Sequence, residues 1–221
     1  MPTQVWLLRH AETATPNVFH GAESNIGLSE HGFASSQLMA EWLHACEPDV
    51  VVTSAMTRAI QTATPLLQRS QASHHIETEL HERRVGVLGG TPFSLVEGLW
   101  VDTLNEWTAG NLAYTTPGAE SYAEVQTRVV AAWDRVTATF AGKKIVIICH
   151  GIVVKILLLT LLPQWEPARW HELGKVENLA VSELVGDAAA GWQSRQLLFV
   201  PPQVQRLTEA TVSANIARST A

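Results

Sequence analysis

Val5-Trp6-Leu7-Leu8-Arg9-His10-Ala11-Glu12-Thr13 is a short apolar run that stops abruptly at an arginine and a histidine. It reads as a buried strand reaching the edge of a sheet. In open α/β sheets, ligands sit just beyond the carboxyl ends of strands. An Arg–His pair there offers a fixed fork of donors beside an imidazole able to act as nucleophile or base. Three further stretches repeat the design. Thr53-Ser54-Ala55-Met56-Thr57-Arg58 follows a second apolar run, and Glu82-Arg83-Arg84-Val85-Gly86 follows a third. Ile145 to Cys149 is a fourth run, and it too ends in a histidine, His150.

These motifs, in this order, resemble those of the histidine phosphatase superfamily, the phosphoglycerate-mutase-like phosphatases. The resemblance runs from about Val5 to about Leu184. Leu28-Ser29-Glu30-His31-Gly32 looks like the family's Leu-Ser/Thr-x-x-Gly helix start, and Pro117-Gly118-Ala119-Glu120-Ser121 looks like its Pro-Gly-Gly-Glu-Ser loop. The resemblance implies a three-layer α/β/α sandwich with a mostly parallel central sheet. It implies one catalytic domain over residues 1–200, a variable cap over the site at about 87–118, and a C-terminal tail at 201–221.

By the same resemblance, His10 is the nucleophile and becomes a phosphohistidine. Arg9, Arg58 and His150 bind the phosphoryl group, Asn17 lines its pocket, and Glu82 is the proton donor. The residue types suit that chemistry. Breaking a phosphomonoester needs an in-line nucleophile, positive charge around the equatorial oxygens and a proton for the leaving alkoxide. Two guanidiniums and an imidazole supply that charge without a metal. Ser54 is expected to cap a helix, and Gln61 and Thr62 to pack or cap. Glu12 is expected to orient an arginine. The family's Arg-His-Gly is Arg-His-Ala here, and a left-handed Ala11 would cost about 1 kcal/mol. Trp100 and Trp107 are candidates to wall the substrate site.

Composition narrows the rest. With 221 residues and 46% apolar content, one domain can bury its own core. A net charge of −6 without a basic stripe argues against nucleic acid as a partner. The most apolar stretch, Ile152 to Leu162, falls far short of the roughly 20 residues a membrane span needs. No basic leader precedes the first apolar run, so a cytoplasmic enzyme is expected. The two cysteines, Cys46 and Cys149, suggest neither a disulfide framework nor a metal pair. His10-Ala11-Glu12 lacks the Pro-Cys-x-x-Cys partner of zinc deaminases, and His74-His75 lacks helical metal-ligand spacing. No metal and no cofactor are expected.

Along the chain, strands are expected at Gln4–Leu8, Val50–Val52, His75–Glu77, Lys144–Cys149, Leu179–Leu184 and Trp192–Val200. Helices are expected at Glu30–His44, Thr57–Leu67 with Pro65 kinking or ending it, Glu120–Phe140 and Gly151–Leu162. The tail is expected to be a loose helix or mobile.

The leading function is a metal-independent phosphomonoesterase acting on a small phosphorylated metabolite. One rival is a phosphoglycerate mutase. Mutases of the family carry a longer insertion than the about thirty residues between Gly86 and Pro117. The other rival is a silent phospho-ligand or protein-binding module, which would lack the nucleophile or the acid. The oligomeric state is left open, a homodimer included.

Overall fold

The computed structural model describes residues 1–219, with side chains described through Thr211. Six strands form one sheet: β1 (Thr3–Arg9), β2 (Val50–Thr53), β3 (Ser73–Ile76), β4 (Lys144–Cys149), β5 (Val181–Asp187) and β6 (Gly191–Phe199). Their order is β3-β2-β4-β1-β5-β6. The first four are parallel, while β5 runs antiparallel to β1 and β6 antiparallel to β5. The mostly parallel sheet thus ends in an antiparallel hairpin. Around it lie α1 (Glu30–His44), α2 (Thr57–Arg69), α3 (Phe93–Thr108), α4 (Tyr122–Thr139), α5 (Gly151–Leu161) and α6 (Pro202–Ser219).

Alternation along β1 divides the core into two halves. Val5 and Leu7 point to one face, with Val125, Trp133 and Val136 of α4 and Val154, Ile156 and Leu157 of α5. Trp6 and Leu8 point to the other, with Met39 and Leu43 of α1 and Ala63 and Leu66 of α2. Because β2 and β4 are buried on both faces, they read as continuous Val/Ile runs. The result is the expected α/β/α sandwich.

Local sequence explains the helix starts. Ser29 caps α1 by accepting from the Gly32 amide at 2.9 Å. Ser121 and Glu124 form a reciprocal capping box at α4.

Three expectations need correction. Helix α2 does not end at Pro65 but continues to Arg69, because Ala59, Ala63 and Leu66 hold its inner face on the sheet. Strand β3 begins earlier and stops at Ile76, not Glu77. The final hairpin runs to Asp187 and restarts at Gly191, with register shifts that hide its ends from a period-two pattern. The segment after residue 200 is helical as α6, and its Val204 is buried beside α1 and α2 side chains. Residues 220–221 of the expected tail lie outside the described residues.

Gly32 shows two effects in opposition. On helix propensity alone, Gly32→Ala should stabilise α1 by up to about 1 kcal/mol. A Cβ there, however, would lie 2.1 Å from the Glu12 carbonyl oxygen, which already accepts from the Ser29 amide at 3.0 Å. The clash should win, with a net loss of about 1–3 kcal/mol in urea unfolding. An unchanged or higher midpoint would show that the loop after His10 yields freely.

Candidate active site

The strand register brings the site together. Arg9 pairs with Cys149 across β1 and β4, so the next residues of both strands, His10 and His150, emerge side by side. The His10 amide donates to the Cys149 carbonyl at 2.9 Å, and the two rings lie 5.2 Å apart. On the far side of β4, the Ser54 amide donates to the Ile148 carbonyl at 3.2 Å. The first turn of α2 then carries Arg58 back over His10. Cys149 points the other way, into the core.

A hydrogen bond sets the tautomer of His10. His10 Nδ1 lies 2.7 Å from the Ala11 carbonyl, which can only accept, so Nδ1 carries the proton. The lone pair is therefore on Nε2, which faces the site and accepts from Arg58 Nε at 3.2 Å. Burial, then the charges of Arg9 and Arg58, hold the His10 imidazole well below its usual range. A neutral ring with its lone pair on Nε2 is the form a nucleophile needs. The Asn178 side chain donates to the His10 carbonyl at 2.9 Å and steadies the strand end.

His150 is held differently. Ser54 Oγ lies 2.7 Å from His150 Nε2 and also accepts from the Met56 amide at 3.4 Å. The contact pairs His150 Nε2 with the Ser54 hydroxyl in either tautomer of the ring, since a hydroxyl has one proton and two lone pairs. Burial, then Arg58 and His10, also keep this ring well below its usual range. Ser54 does not cap α2, whose cap position is Met56 with no side-chain bond.

Arg58 is almost completely buried. Its guanidinium donates to the Ser24 carbonyl at 2.7 Å and the Gly21 carbonyl at 3.3 Å. Burial lowers it to about 10, so it stays cationic at neutral pH. Arg9 Nη1 donates to the Val176 carbonyl at 2.9 Å. Among the described residues, Arg9 Nε is a buried donor with no partner, and His150 Nδ1 is a buried ring nitrogen with none. Buried donors are ordinarily paired, and an anionic oxygen placed between these strand ends would pair Arg9 Nε.

Glu82 sits against the start of α5. Its carboxylate accepts from the Arg83 amide at 2.9 Å and the Ile152 amide at 3.4 Å. It is buried, not the surface carboxylate its arginine neighbours could suggest. Arg9, His10, Asn17, Arg58 and Glu82 all line one cavity of about 960 Å³. His150 lies behind its wall, against His10. Asn17 stands at the exposed rim, where its carbonyl accepts from the Phe93 amide at 2.9 Å.

Other expectations fare unevenly. Ala11 has no positive φ, so replacing the family's glycine costs no left-handed strain. Its amide donates to Thr62 Oγ1 at 3.0 Å, and Gln61 Oε1 accepts from the Leu28 amide at 2.8 Å. Glu12 does not orient an arginine; it accepts from the Ser29 hydroxyl at 2.7 Å. Trp100 does wall the cavity, but Trp107 is fully buried in the core and donates to the Tyr114 carbonyl at 2.9 Å. Sequence reasoning missed Lys155 and Trp170, which also line the cavity. The one available signal was a lysine interrupting the apolar run of α5.

A strand-end histidine pair, the buried Arg58 and the half-buried Arg9 meet at the carboxyl edge of an α/β sheet. The chain belongs to the histidine phosphatase superfamily, whose branch-1 sequence model matches residues 5–197. An uncharacterized protein of Mycobacterium tuberculosis is 27% identical over 171 residues, covering 77% of this chain and 82% of the relative. A probable phosphoglycerate mutase of Yersinia pestis is 27% identical over 183 residues, covering 82% and 84%. Among solved structures, mycobacterial glucosyl-3-phosphoglycerate phosphatase superposes with a TM-score of 0.78 at 22% identity, covering 90% of this chain and 100% of that one. That last likeness is one of fold.

Proposed function

We propose that this protein is a metal-independent phosphomonoesterase working through a phosphohistidine on His10. The observation that carries the reading is the His10 lone pair facing a buried guanidinium beside Arg9, whose buried Nε lacks a partner. A phosphoryl group set between them meets a nucleophile on one side and cations around its oxygens. His10 Nε2 forms the N–P bond as the P–O ester bond breaks. Glu82 gives its proton to the departing oxygen. Water then attacks phosphorus, Glu82 takes a proton from it, the N–P bond breaks, and phosphate leaves. Donors aimed at the developing charge are typically worth a few kcal/mol of barrier each.

A cavity of about 960 Å³ is far larger than a phosphoryl group and fits a small phosphorylated metabolite. Asn17 would contact it at the rim, and residues 87–118 would serve as the cap of a catalytic domain ending near residue 200. Two free cysteines suit the reducing cytoplasm as its compartment. Among the described residues, no helix is long and apolar enough to cross a membrane.

The test is a panel of phosphomonoesters assayed with and without EDTA, with protein quenched in alkaline detergent and probed for acid-labile, base-stable phosphate. Phosphate release should survive the chelator, and the label should map to His10. Chelator-sensitive activity, or a label on serine or cysteine, would overturn the reading. The relative from Yersinia pestis favours one alternative, phosphoryl transfer between positions of a sugar acid. Incubation with 3-phosphoglycerate and its bisphosphate separates the two, since a mutase yields isomer where a phosphatase yields inorganic phosphate.

A further inference from the structure

Helix α5 begins directly after His150, and its first turn meets Glu82 through the Ile152 amide. One turn further, on the order of 6 Å along the same wall, stands Lys155. It is only 7% exposed in a helix that is otherwise almost wholly apolar. Its ammonium lies 4.6 Å from the centre of the Trp170 ring and donates to the Gly174 carbonyl. Lys155, Trp170 and Gly174 all line the catalytic cavity.

No ion pair among the described residues includes Lys155. On the connector, Glu172 pairs with Arg169 at 2.8 Å and Glu177 with Lys175 at 2.9 Å. Burial alone lowers the amine to about 8, with no charged neighbour acting on it. An ammonium has three donors, and here one is used. Burying an unpaired charge costs several kcal/mol, a cost that a leucine at this position would avoid. The cavity therefore keeps a desolvated cation one helical turn from the phosphoryl cage, with donors to spare. Phe19, Phe93 and Trp100 add an apolar part to the lining, their rings 5.6–5.7 Å apart.

We propose that Lys155 anchors a distal anion subsite, so that the preferred substrates are phosphomonoesters bearing a second anionic group on the part that leaves. This rests on the phosphatase reading and narrows its substrate class. A carboxylate and a second phosphate share the required chemistry.

The experiment compares propyl phosphate, 2-carboxyethyl phosphate and propane-1,3-diyl bisphosphate, with p-nitrophenyl phosphate as a reference. The proteins are wild type, Lys155→Met and Lys155→Arg. Methionine keeps the length and packing without the charge. Wild type should show at least a roughly tenfold lower KM for the doubly anionic esters than for propyl phosphate. Lys155→Met should erase that difference while leaving propyl and p-nitrophenyl phosphate within about twofold, and Lys155→Arg should restore most of it. Dependence with the carboxylate alone, or with the bisphosphate alone, upholds the subsite and names its anion. Equal losses on all four esters would show that Lys155 only clamps the Gly174 connector, and would overturn the proposal. So would a wild type indifferent to the second charge. If no ester turns over in wild type, the phosphatase reading fails instead. Tryptophan-fluorescence titration of 2-carboxyethyl phosphate against wild type and Lys155→Met then decides the subsite alone.

Discussion

His10→Ala should lower kcat at least about a thousandfold and abolish the trapped phosphoenzyme. The size of the effect follows from the lack of a substitute. The Ser54 hydroxyl is engaged with His150 Nε2 and sits behind the cage. Cys149 faces the core on the opposite side of its strand, and burial pushes its thiol far up, so it offers no thiolate. His150 is fully buried behind the cavity wall, with its Nε2 against the Ser54 hydroxyl. The cage itself should persist. Arg58 retains its bonds to the Ser24 and Gly21 carbonyls, and Arg9 its bond to the Val176 carbonyl. The variant should therefore still bind inorganic phosphate or vanadate by calorimetry, within about tenfold of wild type. Residual turnover above one per cent would mean that another group attacks phosphorus. Lost anion binding would mean that the imidazole was structural.

What could be foreseen from the residues was whatever a few neighbours determine. Ser29 followed by Glu30 and Gly32 marked the start of α1, because a cap is made within one turn. The Val/Ile run ending in Cys149-His150 marked β4, because burial on both faces leaves a continuous apolar stretch. The placement of Arg9, His10 and His150 at one edge follows once those strands are parallel neighbours. What stayed hidden depends on chain brought from elsewhere. The Gly21 and Ser24 carbonyls that grip Arg58 are backbone atoms of a loop, and no residue type announces them. Ser54 looked like a cap because its spacing from Arg58 suits one, yet adjacency of β2 and β4 gives it to His150. Glu12 looked like an arginine partner, but the nearest donor is the cap hydroxyl of α1. Pro65 argued for a broken helix, and packing of α2 on the sheet outweighed one missing hydrogen bond. Lys155 was visible only as an interruption. Its meaning needed Trp170 and Gly174, which come from a connector after the helix.

Glu82→Gln should separate bond breaking that needs a proton from bond breaking that does not. Glutamine keeps the volume, and its one carbonyl can still accept from the Arg83 amide; only the longer 3.4 Å bond from the Ile152 amide, made to the other oxygen, is lost, so the wall should largely hold. It cannot give up a proton as a carboxylic acid does. For an alkyl ester the leaving oxygen is a strongly basic alkoxide, and the general acid is typically worth about 10²–10⁴ in rate. Propyl phosphate should therefore lose phosphoenzyme formation by that factor. The p-nitrophenolate ion leaves readily without a proton, so p-nitrophenyl phosphate should still phosphorylate His10 at near the wild-type rate. The next step needs a base for the attacking water and should slow. Stopped-flow records should then show a burst of about one equivalent of p-nitrophenol followed by slow turnover, with phosphohistidine accumulating. An equal loss of the burst for both esters would assign Glu82 to the architecture of the wall. A wild-type rate with propyl phosphate would place the proton donor elsewhere in the cavity.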